Sequence, residues 1–233
     1  MLFAQNIPII IKMKIHVSVI LAAFVASVVC QKPVAPAWEN EWSADFTEKI
    51  EFPLRGTHTT HGKWWYSWTQ KAFRVDRENG NYDRYCGLTE KFQDIPCTQI
   101  VSSGTRYLYF PSKKYCCNCC SAEHGCGIVK PTWTTTGEYR FTHTDAKGVK
   151  FNEFDVKGNQ SNYYDVTVTD NKPYRLFQDP LSDMFWDVNT YSTSPIPSTV
   201  FDLPSTDCKK YCPFFSICTE IRNSIFAPKP ETD

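Results

Sequence analysis

The sequence predicts a mostly β fold: a strongly curved antiparallel sheet meander with a disulfide-rich loop excursion and a short C-terminal helix. Three observations predict it. Runs of aromatic and β-branched residues alternate apolar with polar positions, as strands with one dry and one wet face do. Glycine, asparagine and proline punctuate those runs roughly every eight to twelve residues. Ten cysteines follow residue 30, an even number that an oxidising compartment can pair completely.

The N-terminus has targeting grammar. Lys12 and Lys14 precede an uncharged, mostly apolar run from Val17 to Val29, and Ser27 and Cys30 each leave a small residue at a cleavage point. Residues 1–30 therefore read as a signal peptide, and Gln31 as the start of the mature chain. The apolar run is shorter than the roughly 18 residues of a spanning helix, and no later segment is apolar enough to span. The expected destination is extracellular, or the lumen of the secretory-lysosomal route. The first thirty residues hold two lysines and no acid, so of 25 basic and 25 acidic side chains the remainder keeps 23 and 25, a formal charge of −2. That balance gives no electrostatic reason to expect nucleic acid or an anionic bilayer as partner.

Residues 31–233 read as one disulfide-stabilised antiparallel β domain. Residues 32–41 form an extended lead-in, since Pro33 and Pro36 fix the backbone and remove donors. Trp42, Ala44, Phe46, Ile50 and Phe52 then share one parity and Ser43, Asp45, Thr47, Lys49 and Glu51 the other, an amphipathic strand. A turn at Leu54-Arg55-Gly56 leads to a strand over Gly62 to Trp68, and a third is expected at Ala72 to Asp76. Asn79-Gly80 signals a hairpin whose returning arm is Tyr82 to Cys86. Further strands are expected at 105–110, 138–143, 149–156, 163–168, 174–177, 184–188 and 200–203. Residues 111–135 break the meander and read as an irregular, cysteine-rich excursion bounded by Pro111 and Pro131. In the cysteine-tied tail, residues 205–233, the spacing of Phe214, Ile217, Cys218, Ile221 and Ile225 predicts a short helix after Pro213.

The ten cysteines are Cys86, Cys97, Cys116, Cys117, Cys119, Cys120, Cys126, Cys208, Cys212 and Cys218. Cys116 with Cys119, or Cys117 with Cys120, has the spacing of half a zinc site, but the signal peptide favours disulfides and no metal. The cluster is expected to draw in Cys86 or Cys97, and the last three cysteines to anchor the tail. Asn159-Gln160-Ser161 is an N-glycosylation sequon in a turn.

The patterns Phe46-Thr47-Glu48, Gly62-Lys63-Trp64-Trp65-Tyr66 and Arg74-Val75-Asp76 resemble the opening strands of ependymin-related and LolA-like secreted proteins. Phe185-Trp186-Asp187-Val188 and Pro197 to Pro204, followed by Cys208, resemble the terminal part of ependymin-related proteins. The resemblance implies a curved sheet with an apolar concavity, secretion or lysosomal delivery, glycosylation, and lipid and calcium binding. The double-cysteine cluster and the segment from Cys212-Pro213 to Cys218 depart from that pattern.

No catalytic machinery is legible. His58, His61, His124 and His143 accompany neither a nucleophile elbow nor a zinc-protease helix motif, so no catalytic residue, enzyme activity or cofactor is expected. The aromatic stock points to binding. Trp64, Tyr66, Tyr107 and Tyr109 are candidate ligand contacts on a concave sheet face under the segment from Pro111 to Trp133, with Arg106 orienting a polar head group. Trp65, of opposite parity, is expected under the cysteine-rich excursion or against a ligand. The expected function is a secreted or lumenal carrier of a hydrophobic or lipid-like molecule. The alternative is an extracellular structural or protein-recognition module with a filled core.

Overall fold

The computed structural model describes residues 31–52, 56–90, 93–158, 161–179, 182–204 and 207–224. The expected signal segment 1–30, Leu54 and Arg55 of the expected turn, Asn159 of the sequon and Ile225 lie outside the described residues. Eleven strands form one antiparallel sheet: β1 (Glu41–Phe52), β2 (Gly56–Ser67), β3 (Ala72–Arg77), β4 (Cys97–Ser102), β5 (Thr105–Phe110), β6 (Tyr115–Ser121), β7 (Glu138–Thr144), β8 (Lys150–Val156), β9 (Asn162–Thr167), β10 (Pro173–Gln178) and β11 (Ser182–Trp186). Their order is β6-β5-β4-β3-β2-β1-β11-β10-β9-β8-β7. Two meanders are thus spliced where β11 pairs with β1, Phe46 opposite Trp186. Among the described residues, two short helices, α1 (Cys86–Thr89) and α2 (Ile217–Asn223), and four 3₁₀ turns accompany the sheet. Among the described residues no helix is long and apolar enough to cross a membrane.

Strand parity decides the faces. Trp42, Ala44, Phe46 and Ile50 are buried on the inner face of β1, as their spacing predicts. Register carries that face across the sheet to Tyr66, Phe73, Val75 and Val101 on one side and to Trp186, Met184, Leu176, Tyr164 and Phe154 on the other. The Trp38 ring lies 5.1 Å from Tyr66 and 6.5 Å from Tyr164. Those residues sit on β2 and β9, four strand positions apart, roughly 19 Å in a flat sheet, so the sheet curves strongly about its inner face. Gly62 permits the packing at the turn of this face, because a Cβ there would come within 2.7 Å of the Phe46 ring and 1.9 Å of the Asp76 carbonyl.

Several expectations are corrected. The Asn79-Gly80 hairpin does not form. Cys86 bonds to Cys97, and Gly80 is pressed against both, where a Cβ would lie 2.7 and 2.8 Å from theirs. Asp83 Oδ1 accepts the backbone N–H groups of Tyr85 and Cys86, which turns the chain into α1 rather than into a returning strand. The cluster Tyr115–Ser121 is not irregular but is edge strand β6, bulged opposite Arg106 and Tyr107. Residues 198–201 form a 3₁₀ turn instead of opening a strand. Phe214 stands outside α2, which starts at Ile217.

The cysteines pair as 86–97, 116–208, 117–212, 119–218 and 120–126. The cluster therefore takes neither Cys86 nor Cys97; three of its members seize the tail. The tail runs along the free edge of β6, where Asn118 N–H donates to the Lys210 carbonyl and Cys212 N–H to the Asn118 carbonyl. This covers a strand edge that would otherwise offer unpaired backbone groups to another chain. Five disulfides point to an oxidising compartment.

Candidate ligand-binding site

The inner face is closed by loops. An N-terminal arm, residues 34–40, brings Ala35 and Trp38 onto it, and the chain leaving β6 returns across it as a flap that carries Ile128, Val129 and Trp133. Trp38 is the hub of an aromatic cluster, 5.1 Å from Trp42, 5.2 Å from Trp133 and 6.2 Å from Trp186, mostly edge to face. Such edge-to-face contacts match ring edges with ring faces and stabilise by about 0.5–1.5 kcal/mol per pair beyond area burial.

Arm and flap bind each other through Trp38 N–H to the Pro131 carbonyl, 2.9 Å, and Thr134 Oγ1 to the Pro36 carbonyl. Two tyrosine hydroxyls tie this cover to the sheet: Tyr66 donates to the Val129 carbonyl at 2.8 Å, and Tyr164 accepts from Trp38 Nε1 at 3.0 Å. Burial pushes both phenols well above their ordinary range, so both stay neutral and keep these bonds. Four other indole N–H groups, on Trp42, Trp64, Trp133 and Trp186, are buried without an acceptor. An unpaired buried donor costs about 1–3 kcal/mol. Beside the arm a cavity of about 410 Å³ opens between Pro36, Trp38, Tyr164, Lys172, Pro173 and Tyr191.

The expected contact residues divide between the faces. Trp64 and Tyr66 belong to the aromatic face beneath the flap. Arg106 shares the inner face but caps its far end, its guanidinium 4.5 Å from the Tyr85 ring and 5.1 Å from Phe73, with Nη1 on Gln99 Oε1 at 3.3 Å. Tyr107 and Tyr109 pair with Ile100 and Thr98 and so point to the opposite face. Trp65 also faces away and packs against the cluster of Ala72, Ile196 and Phe201, not under the cysteine-rich segment. Sequence reasoning missed Trp38, Trp133, Tyr164, Trp186 and Tyr191. Trp38 was signalled only as an aromatic residue just after Pro33 and Pro36.

Two charged clusters lie on the sheet, one on each face. On the inner face Arg77, 6% exposed, donates to Glu48 at 2.7 Å and reaches Asp83 at 3.3 Å, and Ser182 Oγ supports Glu48. Burial pulls the guanidinium down, but Asp83 and Glu48 hold it above its ordinary range. On the outer face His143, Glu153 and Asp165 converge within 4.8 Å of one another from β7, β8 and β9. Arg140 pairs with Glu153, and Arg175 lies 3.7 Å from Glu153 and 3.9 Å from Asp165, so guanidinium charge already occupies the place a cation would take.

Asp165 is fully buried and neither oxygen accepts a hydrogen bond. Burial, reinforced by Glu153 and opposed by Arg175, pushes its carboxyl up to about 7. A folded value raised above the unfolded value near 3.9 destabilises the fold increasingly as pH rises from about 4 to 7, and evenly above that. Asp165→Asn is therefore expected to gain ~2–4 kcal/mol relative to the parent at pH 8 and to match it near pH 4. Urea unfolding at the two pH values measures this; a loss of stability at pH 8 would show that the His143 and Arg175 contacts outweigh desolvation.

Fold and site define a class: a disulfide-stapled, open antiparallel sheet whose curved aromatic face is covered by loops. The fold is similar to those of an uncharacterized conserved protein from Thermus thermophilus (8% identity, 74% of this chain and 91% of that one, TM-score 0.47), a LolA superfamily protein from Nitrosomonas europaea (7%, 72% and 93%, 0.36) and a DUF1329 family protein from Desulfovibrio piger (7%, 72% and 92%, 0.35). No family model and no curated protein sequence matches the chain.

Proposed function

We propose that the protein is a secreted or lumenal binding protein that takes up an apolar, lipid-like molecule bearing oxygen acceptors between its aromatic sheet face and the arm-and-flap cover. The reading rests on the four buried indole N–H groups without acceptors around Trp38. A core selected only for solidity would use phenylalanine or leucine there and avoid the desolvation cost. Ester, carboxyl or phosphate oxygens entering with an acyl chain would satisfy those donors while the chain replaced ring contacts. Uptake requires the cover to part from the sheet, to which the tyrosine hydroxyls and the ring contacts of Trp38 hold it. The cavity beside Trp38 marks the rim where a ligand would enter, and its size falls within the range of ligand pockets.

A second reading, a filled-core extracellular recognition module, is favoured by the central position of Trp38, whose ring already fills the hollow. Titrating ¹⁵N-labelled, oxidised protein with oleate and with lysophosphatidylcholine separates the two. Uptake predicts saturable shifts of the Trp42, Trp64, Trp133 and Trp186 indole resonances, and native mass spectrometry with organic extraction should find a co-purifying lipid. Unmoved indole resonances with both probes, and no extractable lipid, would leave the filled-core module as the better account.

A further inference from the structure

Between Cys208 and Cys218 the tail is built as a rigid, outward-facing display. Cys208, Cys212, Ser216 and Cys218 are buried, and the three cysteines are crosslinked to Cys116, Cys117 and Cys119 of β6. Between Cys208 and Ser216 the side chains point out: Lys209 and Lys210 are exposed, Tyr211 is 65% exposed, Phe214 73% and Phe215 88%, with only Cys212 turned in. These are the three most exposed aromatic residues among the described residues. The Phe214 and Phe215 rings contact each other edge to face at 5.3 Å. The Pro213 carbonyl is held by Ser216 N–H at 3.0 Å, Ser216 Oγ at 2.6 Å and Thr219 Oγ1 at 3.2 Å, which fixes the turn carrying them. Tyr211 is steadied by the Arg222 guanidinium, 4.5 Å from its ring.

We propose that this tip is a membrane-docking element, which inserts Phe214 and Phe215 at the acyl boundary of a bilayer while Lys209, Lys210 and Tyr211 lie among anionic headgroups. Rings exposed to this degree stand clear of the body instead of forming one wall of a groove, a shape suited to a deformable lipid surface more than to a preformed protein pocket. Aromatic residues beside lysines form the composition that settles at membrane–water interfaces. The stretch from Lys209 to Phe215 carries two positive charges and no acid, complementary to an anionic leaflet, and the near-neutral charge of the whole chain conceals this local asymmetry. Crosslinking lowers the ordering cost of insertion, since the rings are already displayed. The tip shares no residue with the arm-covered face, so docking and ligand uptake stand or fall separately.

The test is sedimentation of the oxidised mature protein with vesicles of phosphatidylcholine alone and of phosphatidylcholine with about one-third phosphatidylserine, at low and physiological salt. Binding is expected to be stronger on the anionic vesicles and to weaken with salt. Phe214→Ser with Phe215→Ser should lower partitioning at least about tenfold on both compositions, since the apolar anchor is lost. Lys209→Gln with Lys210→Gln should remove only the anionic preference. Near-ultraviolet circular dichroism and the disulfide content of each variant verify the fold. Absence of vesicle binding, or equal binding by the parent and the double serine variant, would overturn the proposal. So would a dimer that both serines abolish in a parent that ignores vesicles, because the rings would then serve self-association.

Discussion

Replacing all three tail disulfides, Cys116–Cys208, Cys117–Cys212 and Cys119–Cys218, with alanine pairs is expected to unfold the protein. Replacing any one of them should cost little. Each bond alone closes a chain loop of 92, 95 or 99 residues, worth about 4.7 kcal/mol of unfolded-state entropy. The bonds interleave as a parallel ladder, however, so once one is closed the next constrains only the few residues between neighbouring cysteines, worth about 2 kcal/mol each. Single removal should therefore cost about 2 kcal/mol and triple removal on the order of 9 kcal/mol, comparable to the entire stability of an ordinary domain. Urea unfolding of the single variants, and circular dichroism of the triple variant, provide the measurement. A cost near 5 kcal/mol for each single removal would show that the bonds hold native contacts individually rather than sharing one loop.

How much of this was legible depended on the range of the interaction involved. The alternation from Trp42 to Ile50 reports a local pattern, since each side chain meets the same face as its neighbour two positions on, and the strand lies where that pattern puts it. Glu48 breaks the pattern for a reason no local window contains: its partner Arg77 lies two strands away, on β3. The Asn79-Gly80 signal is also local, and it was overridden by the Cys86–Cys97 bond and the Asp83 cap. Around Tyr115–Ser121 the density of cysteine hid a strand, because each double cysteine sends one side chain to either face and so carries no hydrophobic alternation. Splicing β11 beside β1 joins residues well over a hundred positions apart, and sequence patterning alone does not select that pairing.

The candidate site was half legible for the same reason. Trp64 and Tyr66 lie on the expected face because parity within β2 places them there, whereas the relation of Tyr107 and Tyr109 to that face depends on register transmitted through β3 and β4. Trp38 lies outside every periodic segment, and its importance comes from contacts with residues as distant as Tyr164 and Trp186.

Trp38→Ala separates the two accounts of the inner face. Truncation removes the hub of the ring cluster and its hydrogen bond to Tyr164, and a large-to-small change at a site 5% exposed is expected to cost about 3–5 kcal/mol. A filled core would lose only stability, as the rings around Trp38 relaxed partly into the space. On the carrier reading the same change takes away the side chain that competes with the ligand. The variant should then bind a fatty-acyl fluorophore more tightly than the parent even as its unfolding midpoint falls, because the hollow keeps its apolar walls and its four unpaired indole donors. Fluorophore titration and urea unfolding on one preparation give both quantities. Tighter binding with lower stability is the signature of a displaced plug. Lower stability with unchanged or weaker binding would assign Trp38 to the permanent core and move any ligand site elsewhere on the sheet.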